Sequence, residues 1–242
     1  MTLDINCDLG EGEAPSRTRA LMRLIDSANI ACGGHAGDLA SMTRCIRLAK
    51  AFNVRLGAHP GAPDRAGFGR LATCPAPADL ALWVVQQAGT LARLAELNHV
   101  PLHHIKLHGA LYHASEAEDA LARAYLDTVR EYFPGTTLYC LSGGRVARLA
   151  RRAGIAVKEE LFADRAYAAN GHLVPRNEVG AVLANTAQVG GRLAHWLATG
   201  RMATHEGGEL RLRGETLCVH GDGEHAVALA RAVRKIVGAR PA

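Results

Sequence analysis

Residues 28–58 read ANIACGGHAGDLASMTRCIRLAKAFNVRLGA, and this stretch decides the architecture. The run Ala28–Cys32 is short and apolar, as a buried strand should be. Polar, glycine-rich residues follow at once: Gly33-Gly34-His35-Ala36-Gly37-Asp38. Leu39–Phe52 then spaces its apolar residues at the helical period, with Asp38 placed to cap it. A second short apolar run, Val54–Ala58, completes the unit. A strand, a helix and a strand in this order make a parallel pair joined by a crossover.

The alternation continues in both directions. Further strands are expected at Leu3–Cys7, His103–Leu107, Thr137–Leu141, Ala156–Glu160 and Leu217–His220. Helices are expected at Arg17–Ile25, Ala78–Leu97, Ala117–Tyr132, Arg145–Arg152, Val179–Ala198 and Glu224–Val237. Ser115 and Glu118 have capping-box spacing. Seven strands alternating with helices predict an α/β fold, an irregular (β/α) barrel of about seven parallel strands. An open doubly wound sheet is the alternative. No linker, repeat or low-complexity tract divides the 242 residues, so a single domain over 1–242 is expected. Pro60–Pro77 and Phe162–Asn177 read as long strand-to-helix loops.

Composition narrows the class. Hydrophobic residues make up 48% and charged residues 21%, as in an ordinary globular protein. The net charge of +5 is scattered and aromatics are 5%, so nucleic acid is not an expected partner. The start, MTLDINCDLGEGE, carries acids where a signal peptide would be basic and then apolar, and no run reaches membrane-spanning length. The six cysteines form no CxxC pair, so neither a disulfide framework nor a zinc knuckle is read from them. A cytoplasmic protein is the expectation, with no membrane partner.

Polar residues gather directly after most of the strands. Asp8 and Glu11 follow the first, with Asn6 inside it; His35 and Asp38 follow the second; His59, Asp64 and Arg65 follow the third. Lys106, His108 and Tyr112 lie at the fourth, Glu160, Asp164 and Arg165 at the sixth, and His220 and Asp222 at the last. A β/α barrel brings all these loops to one face, so the set predicts a common pocket. Lys106 is one of four lysines (Lys50, Lys106, Lys158, Lys235), and it sits in an apolar strand. A buried ammonium needs a carboxylate or phosphate partner, and Glu160 at another strand end is the expected one. Other residues carry two readings. Asp38 and Asp222 precede helices and read also as caps. Arg165 is either a local ion pair with Asp164 or a guanidinium for a substrate carboxylate. Of the adjacent His103 and His104, one alone can face inward. Asp8, His35 and His59 could form an open metal site with one carboxylate and two imidazoles, or serve as acid–base groups. No GxxxxGK[ST] or GxSxG sequence occurs.

Several of these segments also resemble a known family. NCDLGE at Asn6–Glu11, SANIACG at Ser27–Gly33 continuing into HAGD, and GAHPG at Gly57–Gly61 followed by DRAGFGR are similar to the LamB/YcsF family. KLHGALY at Lys106–Tyr112, ELFADR at Glu160–Arg165 and HGDG at His220–Gly223 extend the resemblance over nearly the whole chain. It implies a deacetylase-like barrel and the A subunit of an ATP-dependent 5-oxoprolinase, with a small lactam substrate, ATP and Mg²⁺ as co-substrate, and separate B and C subunits. A homo-oligomer is left open. The resemblance further implies that Asp8, Glu11, His59, Lys106, His108 and Glu160 are catalytic. Asn6, His35, Asp64, Arg65, Tyr112, Asp164, Arg165, His220 and Asp222 would bind substrate or phosphate. A metal-dependent carbohydrate deacetylase or amidase acting alone, or a non-catalytic subunit that binds small acids, are the alternatives. Three departures stand out: a shorter segment after Glu11, Leu107 where proline is common, and Gly34 where an aromatic residue is usual. The last would open space beside His35.

Overall fold

A computed structural model describes residues 3–71 and 74–238. Seven strands close a parallel barrel: β1 (Asp4–Leu9), β2 (Ser27–Ala31), β3 (Arg55–His59), β4 (Leu102–Ile105), β5 (Thr137–Leu141), β6 (Val157–Phe162) and β9 (Thr216–His220). They pair in chain order, and β9 lies between β6 and β1 to complete the circle. The barrel expectation holds and the open sheet does not. Helices α1 (Pro15–Met22), α2 (Leu39–Ala51), α3 (Pro77–Leu97), α4 (Gly109–Ala117), α5 (Asp119–Tyr132), α6 (Arg145–Arg152), α7 (Thr186–Thr199) and α8 (Ala226–Val237) cover the outside. Among the described residues, no helix is long and apolar enough to cross a membrane.

Three local expectations change. The helix expected over Ala117–Tyr132 starts at Asp119 as α5, because Glu118 adopts an extended backbone, and α4 before it is a helix the sequence reading does not anticipate. The expected capping box does not form there, since the Ser115 hydroxyl donates to Tyr112 O within α4. The helix expected from Val179 starts only at Thr186, where the Asn185 side chain accepts from the amides of Ala187 and Gln188. A small antiparallel hairpin, β7 (Arg201–Ala203) and β8 (Glu209–Arg211), is an addition to the expected elements and fills the connection from α7 to β9. Asp38 caps α2 as expected, through a reciprocal box with Ser41.

Strand alternation sorts the side chains between two environments. Ile5, Cys7 and Leu9 of β1 join the apolar cluster under the helices. Asp4, Asn6 and Asp8 face the barrel axis, and all are buried. β/α barrels commonly fill this space with branched apolar residues; here it holds a hydrogen-bonded polar network instead. Thr216 donates to Asp4 at 2.6 Å, Asn6 to Thr216 at 2.7 Å, and Asn29 to both Asn6 and Asp8 at 2.7 Å. His104 Nε2 donates to Asn29 Oδ1 at 2.7 Å, so His104 is the inward-facing member of its pair. Buried polar groups are tolerated only when satisfied, and a satisfied network is rigid. Its upper end is Asp8.

This interior makes the protein acid-sensitive. Burial pushes His59 down to about 3 and His103 down to about 4, and pushes His104 well below the usual imidazole range. The unfolded chain takes up these protons as pH falls below about 6.5, while the folded chain refuses them, so stability falls with pH. Glu116 works the other way. Burial raises it to about 7, which favours folding as pH falls towards the ordinary carboxylate range. Three histidines against one carboxyl leave a net uptake of about two protons on unfolding from these groups. Urea unfolding midpoints should therefore drop steadily from pH 6.5 to pH 4.5. A flat profile over that interval would contradict the neutral, buried state of the histidines.

Candidate active site

At the carboxyl ends of the strands a cavity of about 600 Å³ opens above this network. Asp8, His59, Lys106, His108, Tyr112, Phe162, Arg165 and His220 line it. β4 ends at Ile105, earlier than expected. The ladder geometry nevertheless continues, with Lys106 N donating to Ala58 O at 3.0 Å and His108 N to Pro60 O at 2.8 Å. Lys106 and His108 thereby project beside β3 into the site.

Lys106 is the centre of the arrangement. Its ammonium lies 2.9 Å from Asp8 Oδ1 and 2.9 Å from Glu160 Oε1, with Cys218 Sγ at 3.1 Å. Glu160 is the partner the sequence anticipates, and Asp8 is a second. Burial would discharge this lysine, but Asp8, Cys218 and Glu160 outweigh it and hold the ammonium charged. The two carboxyls differ. Asp8 is held well below the usual carboxylate range: His59, Lys106 and His220 overcome the cost of its burial. Glu160 is raised, because its burial outweighs the attraction of Lys106, and Tyr112 donates to its Oε2 at 3.1 Å. One carboxylate is thus a fixed anion and the other sits closer to holding a proton.

His220 faces the same cavity and is held by Asp164, whose two oxygens lie 2.9 and 3.0 Å from its Nδ1. Burial opposes protonation of His220, but Asp164 and Asp8 prevail and raise its pKa. His59 behaves oppositely. Burial takes it down to about 3 against the pull of Asp8.

A cluster of imidazoles adjoins the lysine centre. Glu11, His35, His59 and His108 each offer a ligand atom, all within 4.8 Å of one another, and Asp8, Cys218 and His220 form a second such group. The trio read from sequence, Asp8 with His35 and His59, is therefore divided between the two groups. The space expected beside His35 is filled. The Gln87 side chain from α3 bonds both the amide and the carbonyl of Gly61, and a Cβ on Gly34 would lie 2.4 Å from Gln87 Oε1. A Cβ on Gly61 would lie 2.4 Å from His35 Nδ1, so both glycines are dictated by packing.

Not every expected site residue reaches the cavity. Asn6 lies beneath it in the network, and Glu11 and His35 border it behind His59 and His108. Asp64 shapes the β3–α3 loop by accepting from Gly67 N at 2.8 Å. Arg65 is exposed and clips that loop to the carbonyls of Gly33 and Gly37. Arg165 does not pair with Asp164; its guanidinium donates to the carbonyls of Ala181 and Val174 while facing the cavity. Asp222 sits at the rim, where it joins Arg70 at 2.7 Å and Arg176 at 3.3 Å. Those two arginines line the cavity, and sequence reasoning alone misses them. Arg70 closes the DRAGFGR segment, which is the available signal. Arg176 lies in an irregular loop that offers none.

The residues at this face are those of the segments that carry the resemblance, and the LamB/YcsF family profile matches residues 3–241. The chain belongs to the LamB/YcsF family. It is 41% identical over 238 residues to a 5-oxoprolinase A subunit from Syntrophobacter fumaroxidans, covering 97% of this chain and 94% of the relative. It is also 41% identical over 240 residues to one from Pyrococcus abyssi, covering 98% and 94%. The crystal structure of a lactam utilization protein from Thermus thermophilus superposes with TM-score 0.89 at 37% identity, covering 98% of this LamB/YcsF chain and 96% of the other. A solved chain from Enterococcus faecalis, 12% identical with TM-score 0.54, shares the fold alone.

Proposed function

We propose that this chain is the A subunit of an ATP-dependent 5-oxoprolinase and that its cavity is where the lactam of 5-oxo-L-proline is opened to L-glutamate. The names carried by relatives of nearly equal length support the assignment. The observation that carries the chemistry is the buried Lys106 ammonium, held between Asp8 and Glu160 at the cavity floor. Arg165, Arg70 and Arg176 give the walls the positive charge that suits a carboxylate or phosphate.

A five-membered lactam is a stabilised amide and needs activation. Transfer of the ATP γ-phosphoryl group to the lactam oxygen releases ADP and makes the ring carbon a better electrophile. Water then adds to that carbon, the C–N bond breaks, and the ring nitrogen leaves as the amine after taking a proton. A second water releases phosphate from the resulting acyl phosphate. Lys106 stabilises the negative charge that builds on the phosphorylated oxygen. His220, which lines the cavity, takes a proton from the attacking water and passes one to the departing nitrogen, while Glu160, buried beneath, stays bonded to Lys106 and Tyr112. Asp8 remains anionic and fixes Lys106. With no P-loop sequence in this chain, nucleotide handling falls to B and C subunits, with Mg²⁺ accompanying ATP.

The test is ATP-dependent glutamate release from 5-oxoproline by this chain co-purified with its B and C partners. Glutamate and ADP should appear in equal amounts. Hydrolysis of an acetylated sugar without ATP, and no action on the lactam, would replace this reading with the deacetylase alternative.

A further inference from the structure

Beside the lysine centre, two imidazole nitrogens and a carboxylate oxygen converge. His59 Nδ1 is 2.8 Å from Lys106 O, and His108 Nε2 is 2.8 Å from Phe68 O. Carbonyl oxygens only accept, so each of those ring nitrogens carries the proton. The opposite nitrogens face each other, His59 Nε2 and His108 Nδ1 being 3.1 Å apart, and each is a bare lone pair whenever its ring carries one proton. Glu11 Oε1 completes the triangle, 3.3 Å from His108 Nδ1 and 3.7 Å from His59 Nε2. Two lone pairs and a carboxylate oxygen at such separations, all buried, repel unless a cation sits among them.

We propose that His59 Nε2, His108 Nδ1 and Glu11 Oε1 bind a divalent transition-metal ion of the zinc type. The edges of the triangle fit. Ligand atoms about 2.1 Å from one ion and separated by these distances subtend angles of about 95–125°, close to tetrahedral. Two imidazoles with one carboxylate suit Zn²⁺ better than Ca²⁺ or Mg²⁺, which take oxygen ligands. Both histidines donate their other N–H to a backbone carbonyl, the support that fixes tautomer and ring direction in metal sites.

His35 belongs outside the coordination sphere. Its ring is parallel to that of His108, with an interplanar angle of 2° and centroids 3.6 Å apart, so one ion cannot lie in both ring planes. Its Nε2–H instead donates to Glu11 Oε1 at 2.9 Å and orients that carboxylate. Both histidine ligands line the cavity, so the remaining coordination positions open towards it. Asp8 Oδ2, 3.6 Å from His59 Nε2, links this site to the carboxylate that holds Lys106.

Untagged protein carrying Cys74→Ser, which removes the exposed thiol, would be stripped with chelator, exposed to one equivalent of Zn²⁺ or Co²⁺, and desalted. About one equivalent should be retained, and Co²⁺ should give the visible bands of a tetrahedral nitrogen–oxygen site with no thiolate charge-transfer band. Glu11→Gln and His59→Ala should each lower retention at least about tenfold, with folding confirmed by circular dichroism. Wild-type protein that retains no Zn²⁺ or Co²⁺ at micromolar free metal overturns the proposal, because a proton on one imidazole would then suffice. A strong cobalt–thiolate band overturns it as well, by placing the ion at Asp8, Cys218 and His220. No substrate enters the measurement, so its failure leaves the lactam reading intact.

Discussion

Replacing Lys106 with methionine is expected to lower 5-oxoproline turnover by about 10²–10³-fold in the assembled enzyme, the usual effect of losing one preorganised charge at a site of developing negative charge. It should also destabilise the chain by about 3–5 kcal/mol, because Asp8 and Glu160 would remain buried without their cation. These two effects must be separated before the first is called catalytic. Lys106→Met combined with Glu160→Gln removes one of the stranded charges, so thermal stability should recover in part. Activity should not recover at all. Parallel thermal melts and glutamate-release assays on the single and double variants make the distinction. If turnover returned together with stability, Lys106 would be a structural ion and the mechanism would lose its centre. Near-normal turnover in the single variant would have the same consequence.

How far this centre is legible in the sequence depends on the kind of interaction. A lone lysine in an apolar strand, with polar residues after each strand, is enough to predict a common face and to pair Lys106 with Glu160. Strand-end position determines which face a residue joins, and that is encoded locally. Pairing across the barrel is not. Asp8 is the second partner of Lys106, and nothing in the sequence distance between them indicates it. The division of the histidines into ligands and supports is likewise hidden. Whether His35 or His108 joins His59 depends on ring planes and on which nitrogen meets a backbone carbonyl. Arg65 shows the opposite error: a charged side chain in a polar loop reads as a ligand binder, yet its donors are directed to main-chain carbonyls. The extended Glu118 that separates α4 from α5 has no proline or glycine to announce it.

Gly57 is the least legible position, and the second large effect is expected there. Read in sequence, Gly57 is one residue of the strand expected over Val54–Ala58, with nothing to say why it has no side chain. In β3 it is paired to Asn29 on one side and to His104 on the other. A Cβ at this point would lie 2.1 Å from His104 Nε2, a clash rather than a tight fit. His104 cannot yield cheaply. It is fully buried, stacked on Tyr139 at 4.0 Å between centroids, and bonded to Asn29, which in turn holds Asp8. Gly57→Ala must therefore overpack the interior, at about 1–3 kcal/mol, and strand the Asn29 oxygen, at about 1–3 kcal/mol more. For a chain of this size that corresponds to a fall in Tm of roughly 10 °C. Turnover should fall further than stability alone explains, since Asp8 loses the network that positions it under Lys106. Adding His104→Ala to Gly57→Ala makes room for the methyl group and should relieve the overpacking part of the Tm loss at most, and none of the activity loss, because Asn29 would still lack its donor. A Gly57→Ala protein with unchanged melting and turnover would mean that the polar interior does not set the position of the Asp8 carboxylate.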